Sequence, residues 1–145
     1  MVTRHYAVAL WLLSFLFAIR VGGQAAQYWF PQAYLPAFHS FQGSKLPYLP
    51  LLGSQLVILG IMLRVSWRVG IGATNPRPSL GKYLAWLGAI YFVLATARLA
   101  IGFAEPSAPE WFRAWIPWAF HVVLASFVIV LASYHLRGRP LKVRL

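Results

Sequence analysis

Five polar side chains stand inside long apolar runs of this chain: Arg20, Gln24, Gln55, Arg98 and His121. A guanidinium matches carboxylate or phosphate with two parallel hydrogen bonds, an amide both donates and accepts, and an imidazole exchanges a proton near neutrality. Ionised groups are costly inside hydrocarbon, so they are paired, turned toward protein, or functional. Counting along each run at the helical rise puts Arg20 roughly 22 Å above the inner edge, Arg98 roughly 24 Å and His121 roughly 21 Å. Gln55, shortly after Pro50, falls at a similar height, so one polar layer in the outer third draws on four segments. Arg20, Gln24 and Gln27 share a helix face, and Gly22 and Gly23 between them would let a neighbour or ligand approach closely. Glu105 is the nearest counter-charge to Arg98. Such a layer forms an anion-friendly pocket suited to a lipid headgroup, a quinone carbonyl pair or a propionate. The competing reading is structural: an arginine at this depth can thread its stem through lipid to the phosphates. Glutamine and histidine can also simply bridge helices, at about 0.6–2 kcal/mol per hydrogen bond.

The inventory excludes several chemistries. The chain has no Cys, which removes disulfides, thiolate catalysis, iron–sulfur clusters and thiolate-bound zinc. Its only acids are Glu105 and Glu110, in one short loop, so paired-carboxylate catalysis within the helices is impossible. No catalytic residue and no metal site is expected. His121 and His135 lie fourteen residues apart, on nearly one helix face, a spacing that resembles the haem-ligand pairs of b-type cytochromes. That resemblance implies haem b as the alternative to a protein without cofactor. Those cytochromes place a matching pair on a second helix, whereas here His5 is terminal and His39 sits in a loop.

The elements that must carry this layer are transmembrane helices. Of 145 residues, 60% are hydrophobic and 10% charged, against about 25% charged in soluble domains. The apolar residues form four blocks, at 6–27, 51–67, 82–103 and 115–136, each long enough for a hydrocarbon core of about 30 Å. Within lipid the backbone must bond to itself, so the blocks read as helices. The expected fold is a single all-α domain, a four-transmembrane-helix bundle. Nine basic residues (Arg4, Arg64, Arg68, Arg77, Lys82, Arg137, Arg139, Lys142 and Arg144) fall on one side of the blocks and two (Lys45 and Arg113) on the other. The positive-inside rule then puts both termini in the cytoplasm of a bacterial inner membrane. The net charge of +11 is thereby used on anionic lipid rather than nucleic acid. Tyr28, Trp29, Phe30, Tyr34, Trp111, Trp115 and Trp118 mark the outer boundary. The outer connection 31–50, rich in Pro and aromatics, is expected to lie on the membrane surface or to fold over the bundle mouth.

Two stretches, Arg20-Val-Gly-Gly-Gln24 and Leu46-Pro-Tyr-Leu-Pro-Leu-Leu-Gly-Ser-Gln55, resemble stretches in a family of small four-helix bacterial inner-membrane proteins to which no activity is attached. The resemblance covers about the first half of the chain and coincides with the polar layer. The expected function is non-catalytic: binding of a lipid-like or quinone-like molecule at the outer leaflet, or service as an accessory subunit. Its partners would be membrane lipids and other membrane subunits or a second copy, with Ala85, Gly88 and Ala89 as a close-packing face.

Overall fold

The buried face of α1 (Val2–Trp29) is a stripe of Ala7, Leu10, Ser14, Phe17, Val21 and Gln24, stepping by three and four residues. That step keeps one face on its neighbours at a shallow crossing angle. α2 (Phe38–Phe41) is a single turn in the outer connection. α3 (Tyr48–Gly70) buries Tyr48, Gln55, Met62 and Val69 at intervals of seven, and α4 (Pro78–Ala104) buries Gly81, Gly88, Ala95 and Gly102 at the same interval. α5 (Trp115–Arg137) closes the series. The computed structural model describes residues 2–42, 46–108 and 112–138. Lys45, Glu110, Trp111, Arg139, Lys142 and Arg144, used above for charge and boundaries, lie outside the described residues. Among the described residues the chain is all-α, and four helices are long and apolar enough to cross a membrane.

The expected spans lie inside these helices, which extend beyond most of their ends by a few residues. Prolines at helix starts explain part of the excess. Pro78 is the first residue of α4, and Pro50 and Pro117 sit in the first turns of α3 and α5. A missing N–H costs little there, because first-turn donors have no helical acceptor. At the other end of α3, Gly72 takes a positive φ of 72° in the turn that stops the helix.

Packing order differs from chain order. α1 packs against α3 and α5, and α5 against α4, whereas α3 and α4 make no contact among the described residues. The helices thus stand in the row α3, α1, α5, α4, and the bundle is open between its second and third spans. The α1–α3 pair is held by the Ser14 and Ser66 hydroxyls, 3.2 Å apart: one donates to the other, which in turn donates to the carbonyl one turn earlier on its own helix. The α4–α5 pair is held by the small-residue seam, which lets two backbones approach closely. A Cβ on Gly88 would stand 2.8 Å from the Ile129 side chain. Both ends of this pair are also tied. Tyr134 donates its hydroxyl proton to the Thr74 carbonyl, and the Arg77 amide donates to His135 Nδ1 at 3.1 Å. At the opposite end, Arg113 Nε donates to the Gly102 carbonyl at 2.7 Å.

Two local expectations are corrected. Gly88 is occupied by α5 rather than offered to a partner, while Ala89 is exposed; the buried interval runs through Gly81, Gly88, Ala95 and Gly102 instead. Gly22 has no neighbour within 4 Å of its Cβ position, and only Gly23 meets one, Phe41 of α2 at 4.0 Å. The outer connection divides: Phe41 is buried and Phe38 packs on Tyr28 and Tyr48, while Tyr34 stands exposed.

Candidate functional site

Arg20 follows Phe17 by three positions on α1 and therefore turns inward, where it is only 7% exposed. Its Nη2 donates to the Phe41 carbonyl at 2.9 Å, so the single turn α2 hands it a backbone acceptor. Its guanidinium carbon stands 5.5 Å from the centroid of the Phe120 ring of α5, within cation–π range. One turn along α1, fully buried Gln24 accepts a 3.4 Å hydrogen bond from Gln55 Nε2 of α3. Gln55 reaches α1 because it belongs to the seven-residue stripe of α3. On the far side, His121 Nδ1 of α5 is hydrogen-bonded to Tyr91 Oη of α4. A neutral imidazole accepting there keeps its proton on Nε2.

Arg20, Gln55, His121, Ser54, Tyr91 and Phe120 line one cavity of about 270 Å³. Ile58, Tyr91 and Leu124 also line a second cavity, a groove of about 550 Å³ running toward the 71–77 loop. This groove is the gap between α3 and α4. Its walls are Ile61 and Val65 on one side and Leu84, Leu87 and Leu94 on the other, with α5 as floor. Ile61, Leu87 and Leu94 are each more than half exposed, so the groove opens sideways toward the bilayer. A polar chamber thus adjoins an apolar trough about 15 Å long, from the span Leu84–Leu94 at the helical rise.

Several buried polar atoms around the chamber have no hydrogen-bond partner: Nε and Nη1 of Arg20, Nε2 of Gln24, Oε1 of Gln55 and Oη of Tyr48. Unsatisfied buried groups cost about 1–3 kcal/mol each, more when charged. Among the described residues the one carboxylate side chain is Glu105, which lies exposed beyond α4. The Ser107 hydroxyl and amide donate to its Oε1 and hold its carboxyl below the usual carboxylate range.

Of the sequence-derived set, Arg20, Gln55 and His121 meet on the cavity wall, with Gln24 behind Gln55. Arg98 does not line the cavity. It is half-buried in the row Leu84, Tyr91, Arg98 beside the small-residue seam, close enough for its charge to act on Tyr91 and His121. Gln27 instead accepts the Gln32 amide and anchors the outer connection. Tyr91 and the Phe41 carbonyl were missed from sequence. Tyr91 carried a signal, as a hydroxyl-bearing ring in mid-span, seven residues before Arg98. Nothing in the sequence marked the carbonyl.

The histidines do not suit a haem. His121 faces Arg20 and Gln55 across the chamber rather than a second imidazole, while His135 is engaged by the Arg77 amide at the other end of α5. His5 and His39 are exposed. No group of three or more His, Cys, Asp or Glu side chains that could hold a metal occurs among the described residues. Comparison with known proteins finds no family model that matches this chain and no curated protein or solved structure similar to it.

Proposed function

We propose that this chain is a non-catalytic, multi-pass inner-membrane protein of bacteria that binds one lipid-like or quinone-like amphiphile. The polar end occupies the chamber at Arg20, Gln55 and His121, and the apolar end lies in the groove between α3 and α4. The observation that carries this reading is adjacency: the two cavities share Ile58, Tyr91 and Leu124 in their walls, and the reading is that one molecule with a polar head and an apolar tail spans both. Their combined size is in the range of small-molecule sites. In this reading both termini lie in the cytoplasm and the chamber belongs to the outer leaflet, a topology supported by the distribution of basic residues.

Native mass spectrometry of protein extracted in a neutral detergent tests the reading. One amphiphile retained per chain, and lost in Leu87→Trp, which fills the groove, is the expected result. Equal retention in that variant contradicts it. A role as accessory subunit draws on a different surface, the shallow groove of Lys82, Ala85, Trp86, Ala89 and Leu136 on the outer face of α4. That groove has no buried polar group to fix a ligand, and the face is equally suited to lipid.

A further inference from the structure

Resting on that reading, we infer that the head of the amphiphile is an anion, a carboxylate or phosphate, which serves as the counter-ion of Arg20. The chamber itself supports this. Arg20 is nine-tenths buried, and its one hydrogen bond goes to a neutral carbonyl. It also stands over the Phe120 ring, which carries no net charge. No acidic residue lies in any of the four spans, and the described carboxylate, Glu105, is occupied by Ser107. A buried charge is tolerated when paired, and removing its partner is strongly destabilising. Among the described residues no anionic group supplies this pairing.

The hydrogen-bonding inventory points the same way. The unpartnered atoms are mostly donors: two guanidinium nitrogens and one amide nitrogen against a single amide oxygen, with the Tyr48 hydroxyl able to do either. If both amides are turned over, one amide donor and one amide acceptor still remain, so the excess of donors persists. Carboxylates and phosphates are acceptor-rich and bond arginine more strongly than neutral acceptors do. A quinone carbonyl also accepts, but leaves the charge of Arg20 uncompensated. The chamber wall adds His121, which presents an Nε2 proton as a further donor when its Nδ1 accepts from Tyr91.

The test compares ligands that share a tail or a head. The full-length protein in a neutral maltoside detergent is titrated with dodecyl phosphate, dodecanol and inorganic phosphate, and binding is read by thermal shift and native mass spectrometry. Dodecyl phosphate is expected to bind one per chain, at least about tenfold more tightly than dodecanol, a difference of about 1.4 kcal/mol. Arg20→Gln is expected to remove that preference, and Arg20→Lys, which keeps the charge, to retain part of it. Dodecanol binding as tightly as dodecyl phosphate would overturn the anionic head and leave the amphiphile site standing. Inorganic phosphate binding as tightly as dodecyl phosphate would overturn the apolar tail instead. If none of the three binds, both proposals fail. The wild-type comparison decides the matter even if the Arg20 variants do not fold.

Discussion

Replacing Gly88 with Ala introduces a methyl group 2.8 Å from Ile129 Cγ1 and 3.3 Å from Val128 Cγ1, across the α4–α5 contact. Overpacking of this kind costs typically 1–3 kcal/mol, and the better helix propensity of Ala returns up to about 1 kcal/mol. The net expectation for Gly88→Ala is a loss of about 1 kcal/mol, since a side chain can turn aside. Gly102→Ala is more severe: its Cβ would stand 2.6 Å from the carbonyl carbon of Phe112 and 2.8 Å from that oxygen. Backbone cannot rotate away, and the Arg113 bond to the Gly102 carbonyl is strained with it, so about 3 kcal/mol is expected. Gly60→Ala is the control, with no atom within 4 Å of its Cβ position, and should be neutral or slightly stabilising. Unfolding by SDS in mixed micelles, followed by tryptophan fluorescence and far-UV circular dichroism, ranks the three. If Gly88→Ala unfolds at the same SDS fraction as Gly60→Ala, the seam of small residues does not hold α4 to α5, and if Gly102→Ala does so, the Phe112 contact does not hold the end of α4.

With the amphiphile retained as the counter-ion of Arg20, Arg20→Leu should destabilise the protein by about 1–3 kcal/mol, whereas exposed Arg68→Leu should stay within about 0.5 kcal/mol in the same unfolding assay. A double-mutant cycle on Ser14→Ala and Ser66→Ala should give a coupling of about 0.6 kcal/mol, and zero coupling would remove the hydroxyl pair from the α1–α3 contact. Because the chain has no Cys, single cysteines report topology directly. A membrane-impermeant maleimide added to spheroplasts should label His39→Cys and spare Arg137→Cys, and the reverse would invert the orientation.

The spans were legible because twenty apolar residues in a row admit one backbone solution in lipid. The polar layer was legible for the complementary reason: Arg20 and Gln55 stand out against apolar neighbours. Which helices touch was not legible from amphipathicity, since these helices are apolar nearly all round. The interval of seven in Gly81, Gly88, Ala95 and Gly102 was the available signal. It pairs α4 with α5 and leaves α3 and α4, though consecutive, apart. Equal depth was a sound guide for Arg20, Gln55 and His121 but an incomplete one for Arg98, because depth says nothing of rotation about the helix axis. The acceptor for Arg20 is a main-chain carbonyl in a one-turn helix, and no side-chain pattern encodes it.

Photocrosslinking with a fatty acid bearing a diazirine in its chain tests the central claim most directly. The account predicts adducts concentrated on the groove residues of α3 and α4, such as Ile61, Leu87 and Leu94, and competed away by unlabelled fatty acid. Adducts spread evenly over the outward face of α4, on Tyr83 and Trp86 as much as on Leu87, and indifferent to competitor would mean that the groove holds only bulk lipid.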